Sequence, residues 1–596
     1  MSGIAGIVLA RPDRSPDQAV LDAMLDRLAR RGPDETGSVI RGPAALGIRR
    51  LRTVDLDTGR QPVTGEDGRT WVVVDGEIYN YRERSNRLAA SGHVIRTRSD
   101  AEPIVHTWEV RGRDGLEDLE GVFGLAVWQE PSETLVLARD RVGVKPLYYA
   151  VLPDQLVFAS ELRALLAHPG ISRELDLDAL AAYLVHGWVP APESILRSVR
   201  KLPPAHRLVY AGGEAKVERW WDVRYGAGPK DLLVGSAHLG AALDLAVRQQ
   251  LRADVPVGIL LSAGVDSAAL AAIARTYLPG RVETFTLGFE DAAYDESAVA
   301  RGVAEALGTE HHEHVVGARA ALDAFDDLGD LVDEPLGDAS LLPTALLSRF
   351  ARRSVAVALS GLGADEVFAG HEIYRAHRAA RVRQRLGFTR PLHDIERHAR
   401  WLAPCSPGDV GELLTTDALA RLSAPPSYEA SYRAAEGAAD AAWLNRLLYV
   451  DLKGHLAEGA LQALDRASMA SSLQVRVPLL DRRVVEAAAI LKPRLKLGAL
   501  RSKSILRRTL RGRLPGAILA RRPKRLELPL AQWFRGELGT RLRDACATTA
   551  VAGDALFRRA AVERRLDAHR EGRGDHTGAL YALLVFLEWA HRHRAA

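Results

Sequence analysis

Near residue 236 the hydrophobic rhythm of this chain changes, and no single layer of secondary structure accounts for both sides of the change. Before it, short apolar runs such as Val72-Val73-Val74, Leu125-Ala126-Val127-Trp128, Leu135-Val136-Leu137-Ala138 and Leu156-Val157-Phe158-Ala159 are separated by Gly, Pro, Asp and Arg clusters. That is the pattern of buried strands in stacked sheets. One helix fits 16–31, where Ala19, Leu21, Met24, Leu25 and Leu28 share a face. After 236 the chain alternates: a helix over 235–251, a strand over 255–261, a helix over 268–277, a strand over 282–289, a helix over 297–307 and a strand over 355–359. Such alternation builds βαβ units on a parallel sheet. Beyond Arg378 the Ala/Arg/Leu-rich text reads as helix almost to the end. The Arg224-to-Lys230 stretch, rich in Gly and Pro, reads as the linker, giving expected units of 1–215 and 230–596.

Composition narrows the partners. Net charge is +4, with acids and bases interspersed except in 501–525, where ten Lys/Arg occur without Asp or Glu. That run lacks the interleaved aromatics of a single-stranded nucleic-acid groove, so no nucleic-acid partner is expected. Two cysteines, Cys405 and Cys546, build neither a disulfide framework nor a Cys-based zinc site. No apolar stretch reaches the roughly 18 residues of a membrane helix, and no secretory pattern is seen, so a cytoplasmic location without membrane contact is expected.

Two strand-to-helix loops carry chemistry. In Leu260-Leu261-Ser262-Ala263-Gly264-Val265-Asp266-Ser267, small residues let backbone N–H groups approach an anion at a helix N-terminus, and Ser262 and Ser267 add hydroxyls. Alone this is an ordinary capped turn. About 100 residues on, Ser360-Gly361-Leu362-Gly363-Ala364-Asp365-Glu366 repeats the arrangement with paired carboxylates. Lys503, opening Ser504-Ile505-Leu506-Arg507, supplies an ammonium for phosphate oxygens. A phosphate loop, a metal carboxylate and a cationic clamp together point to ATP chemistry.

With these motifs in order, the chain resembles the asparagine synthetase family, which joins a class II glutamine amidotransferase domain to an ATP-pyrophosphatase domain. The resemblance runs from Gly3-Ile4-Ala5-Gly6 to Pro529-Leu530-Ala531-Gln532-Trp533 and includes Tyr294-Asp295-Glu296-Ser297, Asp333-Glu334-Pro335 and Asp465-Arg466-Ala467-Ser468-Met469. It implies an α/β protein: an N-terminal α/β/β/α sandwich like that of N-terminal-nucleophile hydrolases, then a parallel-sheet ATP-pyrophosphatase domain with a helical C-terminal part. It also implies that Ser262, Ala263, Gly264, Asp266 and Ser267 cradle pyrophosphate and that Leu260, Leu287, Ser360 and Gly361 contact ATP. Asp266 and Asp365 would hold Mg²⁺, and Lys503 would stabilise the leaving group. Ala263 stands where the family has a second glycine, a change tolerated if the backbone there does not need positive φ. The implied reaction adenylates a carboxylate, aspartate or another acid, and forms an amide with ammonia from glutamine or solution. A homodimer is compatible with this reading.

The same resemblance implies a glutamine site: Arg50 for the carboxylate, Asp75, Gly76, Glu77 and Asp100 for the amide and amine, Asn80 with Gly76 as the oxyanion hole. Arg30-Arg31-Gly32-Pro33-Asp34 also matches. The nucleophile is Ser2 where the family has an N-terminal Cys. A hydroxyl is far less ionised than a thiol, so thiolate chemistry should lose most of its rate. A lost glutaminase, a substitution introduced at this position and a working serine all accommodate it. Asp75 replaces the family's Asn. At the acceptor, Leu362 and Gln474 stand where the family carries acids, and where the related β-lactam synthetases place Tyr and Glu. The segment Arg522-Pro523-Lys524-Arg525-Leu526-Glu527 lacks the family's Gly-Phe. Two neutralised acids favour a changed acceptor, an amide ligase of specialised metabolism that could take an amine. A catalytically silent regulator on the same fold would not need Asp266, Asp365 and Lys503 together.

Overall fold

Residues 3–219 pair into two six-stranded antiparallel sheets. In the first, Gly3–Leu9 lies between Gln155–Ala159 and Ala44–Arg50, with Ala5 opposite Ala159 on one side and Gly47 on the other. In the second, Thr70–Ile78 pairs with Gly121–Gln129, which pairs with Thr134–Arg139. Period-two alternation decides how they stack, because successive side chains leave opposite faces. Ile4 and Val8 of one sheet meet Val73, Ala126, Trp128 and Leu135 of the other in one buried layer. On the far face of the second sheet, Val72, Val74, Leu125 and Val127 pack on Ile104, Val105 and Trp108 of the helix Glu102–Arg111. Ala5 and Ile7 instead face Leu21, Met24 and Leu25 of the helix Gln18–Asp26. The result is the expected α/β/β/α sandwich. Its last strand, Glu214–Arg219, runs past position 215.

The helix expected over 16–31 is shorter. Asp17 caps it by accepting from the Ala19 amide at 2.8 Å. It stops at Asp26, and the chain then turns to seat Gly32 against the Arg49 backbone, where a Cβ would sit 2.1 Å from the Arg49 carbonyl.

The second half holds a five-stranded sheet, all parallel, in the order Glu310–Val316, Glu283–Phe289, Val257–Leu260, Val357–Leu359, Gln474–Arg476. Beyond Arg378 the described residues are mainly helical as expected, with one named strand among them, the fully buried Gln474–Arg476. Chain order reverses between Val257–Leu260 and Val357–Leu359, and a crevice forms at the carboxyl ends of strands at such a switch point. Both motif loops leave from there. Late in the chain, Trp443–Asp451 and Leu461–Met469 are joined by a π-helical stretch, Leu452–Ala460.

The computed structural model describes residues 2–594 apart from 12, 227–231, 279, 386–392, 500, 522–527 and 549–555. The Arg522-to-Glu527 segment and part of the expected linker lie outside the described residues. Among the described residues no helix is long and apolar enough to cross a membrane.

Candidate active site

The two loops close on each other. A Cβ on Gly361 would lie 2.9 Å from the Asp266 Cβ and from the Ser267 amide nitrogen, so only glycine permits this approach. Within the first loop, the Ser262 amide donates to Ser267 Oγ at 2.9 Å and the Gly264 amide to Ser262 Oγ at 3.2 Å. Gly264 caps the helix Val265–Tyr277. Ala263 is buried and absent from the positive-φ residues, so its methyl costs no backbone strain.

Lys503 bridges the loops. Its Nζ lies 2.5 Å from Asp266 Oδ2 and 2.9 Å from Asp365 Oδ1. Burial opposes the ammonium charge, but the two carboxylates outweigh it and hold the lysine pKa well above its ordinary value. For Asp266, burial dominates and raises the pKa against the pull of Lys503. Asp266 Oδ1 is buried and has no hydrogen-bond partner. Gly370 makes the constellation possible: a Cβ there would fall 1.8 Å from Asp365 Oδ1 and 2.1 Å from Lys503 Cε.

These groups line one cleft of about 1440 Å³. Leu260, Ser262, Ala263, Gly264, Ser267, Leu287, Ser360 and Gly361 all border it, as do Asp266, Asp365, Lys503 and Leu362. Gln474 does not. It is fully buried on the sheet's edge strand, and its amide donates to Glu77 Oε2 at 2.5 Å. Of the two expected acceptor-pocket residues, Leu362 borders the cleft, whereas Gln474 sits at the seam with the sandwich. Glu366 and a histidine not anticipated from sequence also face the cleft. His371 Nε2 lies 2.9 Å from Glu366 Oε1. Burial lowers the His371 pKa, but Glu366, Asp365 and Asp451 together push it up to about 9. Glu366 was visible as half of Asp365-Glu366; nothing in the sequence ties His371 to it.

The sandwich end of the molecule is built around charge. The Ser2 amide donates to Asp75 Oδ1 at 3.1 Å, and Asp75 Oδ2 accepts from Arg31 at 2.8 Å and Ser160 Oγ at 2.9 Å. Gly76, with φ 142°, brings its backbone so close to Val122 that a Cβ would lie 2.0 Å from the carbonyl oxygen. Asn80 is held by loop 118–120, donating to the Asp118 carbonyl at 2.9 Å and accepting from the Glu120 amide at 3.0 Å. Arg50 donates to Glu35 at 3.0 Å and to the Val54 and Asp55 carbonyls at 2.9 Å each. Asp100 accepts from the Ile78 amide at 2.9 Å. Burial and the charge of Glu77 raise its pKa to about 7. Glu77 reaches the other way, to Arg476 at 2.5 Å.

Glu77 belongs to a wider seam. Arg31 lies 2.6 Å from Asp465, which Lys145 meets at 2.5 Å, and Arg466 lies 3.2 Å from Asp333. Glu334 takes Lys201 at 2.9 Å, and Glu458 takes Arg139 at 3.0 Å. The Asp333-Glu334 and Asp465-Arg466 motifs thus tie the parallel-sheet half to the sandwich.

A two-sheet sandwich with a buried N-terminal strand, fused to a switch-point cleft with a Lys–Asp–Asp cluster, defines a class: an amidotransferase domain coupled to a synthetase domain. Residues 1–221 match the family model for a glutamine amidotransferase domain, and 238–591 match that for asparagine synthase. The chain belongs to the asparagine synthase family. It is 34% identical, over 94% of its length and 91% of the relative's, to a putative glutamine-hydrolysing asparagine synthetase of Mycobacterium bovis. It is 28% identical, over 99% and 96%, to asparagine synthetase [glutamine-hydrolyzing] 1 of Bacillus subtilis. Among solved structures, a glutamine phosphoribosylpyrophosphate amidotransferase from B. subtilis aligns over 52% of this chain and 65% of its own at 16% identity, with a TM-score of 0.28 too low to carry an argument.

Proposed function

We propose that the chain is an ATP-dependent amide-forming ligase that adenylates a carboxylate in the switch-point cleft, joins it to ammonia and releases AMP and pyrophosphate. The observation that carries this reading is the Lys503–Asp266–Asp365 cluster at the mouth of two glycine-bearing loops. The loop amides and the hydroxyls of Ser262 and Ser267 are placed to bind phosphate oxygens, and Lys503 to balance charge on a departing pyrophosphate. Asp266, with its unsatisfied buried Oδ1, and Asp365 fit a divalent cation. Mg²⁺ held there would neutralise phosphate charge. Amide formation then needs a proton acceptor for the attacking nitrogen, and the family's acid is replaced by Leu362. Glu366, held by His371, places a carboxylate in the same cleft that can take this proton.

Glutamine as donor is the weaker branch. Asp75 can only accept hydrogen bonds where Asn would also donate, and Ser2 replaces a thiol. Both changes favour free ammonia or an amine.

A second reading concerns the acceptor. Leu362 makes its corner of the cleft apolar, which favours a carboxylate other than aspartate, as in natural-product amide ligases. Pyrophosphate release with Mg-ATP, ammonium and L-aspartate, against a control lacking aspartate, tests both. Aspartate-dependent release assigns an asparagine synthetase; ATP binding without it assigns a different acid, to be found with a carboxylate panel. Failure to bind Mg-ATP would overturn the ligase reading itself.

A further inference from the structure

Remote from the cleft, on the outer face of the sandwich, two histidines and two glutamates converge. Glu66 stands on the turn between the strands Val63–Thr64 and Thr70–Ile78, His93 in the segment between the helices Tyr81–Ala90 and Glu102–Arg111, and His106 and Glu109 on the latter helix. One ligand atom each from Glu66, His93 and His106 lies within 4.8 Å of the others. The contacts run through Nδ1 of both rings. His93 Nδ1 is 3.4 Å from Glu66 Oε1 and 3.7 Å from Glu109 Oε2; His106 Nδ1 is 4.0 Å and 2.9 Å from the same two oxygens. Ligands at about 2.0–2.1 Å from a tetrahedral ion stand ~3.3 Å apart, the spacing seen here before any ion draws them in.

Three further observations favour a cation. His93 Nδ1 is buried and has no hydrogen-bond partner. Glu102 Oε1 approaches the other side of the His106 ring, 3.7 Å from Nε2, where a carboxylate would orient a ligating imidazole. Among the described residues, the ion-pair partners of Glu66, Glu102 and Glu109 are these two histidines, with no Lys or Arg in range. Three carboxylates around two imidazoles are short of positive charge, and one divalent ion corrects that. Packing is adjusted to the cluster as well: a Cβ on Gly65 would fall 1.9 Å from Glu109 Oε1, which accepts the Glu66 amide at 3.2 Å.

We propose that Glu66, His93, His106 and Glu109 form a structural site for a divalent transition metal, zinc by preference. Mixed nitrogen and oxygen ligands in a tetrahedral array suit zinc, whereas magnesium and calcium call for six or more oxygens. The site would fasten segment 91–101 to the sandwich. Glu66 Oε1 already holds the Val94 amide at 2.7 Å, and Glu102 holds the Arg96 and Thr97 amides at 2.7 Å each. That segment delivers Asp100 to the strand Thr70–Ile78, so the metal would hold an expected glutamine-site residue from some distance.

The test uses the intact chain, purified without a metal-binding tag from zinc-containing medium and dialysed. Elemental analysis should find ~1 zinc per chain, and cobalt exchange should give the intense visible bands of a tetrahedral site. His93→Ala and Glu66→Gln should each lower zinc retention at least ~10-fold, while Asp365→Asn retains it. Removing zinc with a chelator should lower Tm, and adding zinc should restore it. Sub-stoichiometric metal in the wild type overturns the proposal. So does undiminished zinc in Glu66→Gln, whose turn is exposed enough to change without unfolding, and so does zinc lost in Asp365→Asn instead, which would place the ion in the cleft. If His93→Ala does not fold, the wild-type cobalt spectrum against that of Glu66→Gln decides.

Discussion

Lys503 shows how a single residue can hold an active site together before any substrate arrives. Its left-handed backbone, φ 52°, turns the ammonium inward between Asp266 and Asp365. Asp365→Asn should therefore abolish ATP-dependent pyrophosphate release, a loss of ~10²–10³-fold or more when one transition-state partner is removed. Asn80→Ala should spare ammonia-supported synthesis; equal loss in both variants would mean that the two half-sites are wrongly divided. His371 makes a prediction of the opposite electrostatic sign. Its folded pKa, near 9, lies above the ordinary histidine value, so its pair with Glu366 stabilises fully below about pH 6.5 and fades as pH rises through 9. The Tm difference between wild type and His371→Gln should be largest near pH 6 and shrink by pH 10. A difference that grows with pH would contradict the assignment.

At the scale of elements, the switch point explains why loops about 100 residues apart meet, and Gly370 shows how narrow the fit is. Gly370→Ala should leave the fold nearly intact, because its Cβ meets side-chain ends instead of backbone, yet should cost ~10²-fold in pyrophosphate release by displacing Lys503 and Asp365. Parallel measurement of Tm and rate separates the two effects. Four of the sandwich strands were legible as apolar runs, Val72, Val73 and Val74 alternating between two buried layers, and Val257–Leu260 and Val357–Leu359 of the parallel sheet because they carry no polar side chain. Glu310–Val316 was not: as an edge strand paired on one side it tolerates Glu-His-His-Glu-His, which carries no strand period. Gln474–Arg476 was too short to show any period. The two loops of the cleft could be placed from small residues at a strand end. The contact of His371 with Glu366, and the place of Gln474 at the seam, depend on packing that no local pattern encodes.

For the whole molecule, the seam between the halves is ionic and buried. Asp465 meets Arg31 across 434 positions of sequence, a pairing invisible to any local reading. Burial would raise the Asp465 pKa, but Arg31 and Lys145 hold it well below the ordinary carboxylate value. Its contribution to stability is thus present above about pH 4 and lost as pH falls below that. Asp465→Asn, leaving Arg31 and Lys145 facing a neutral group, should destabilise by roughly 3–5 kcal/mol at pH 7. Denaturant titrations at pH 7 and pH 3.5 should show the gap to wild type narrowing in acid. The π-helical stretch Leu452–Ala460 gives this seam its timing. An α-helix turns by about 100° per residue, and a wider coil acts as a phase shifter between the rods on either side. Through it, one continuous helical run shows His455 to the cleft, Glu458 to Arg139, and Asp465 to Arg31. Deleting one residue there would reset the phase and swing Asp465 about a quarter turn away from its partners, disturbing a seam where the buried apolar cluster also runs continuously from Ile7 and Leu25 of the sandwich to Leu580 and Phe586 of the other half.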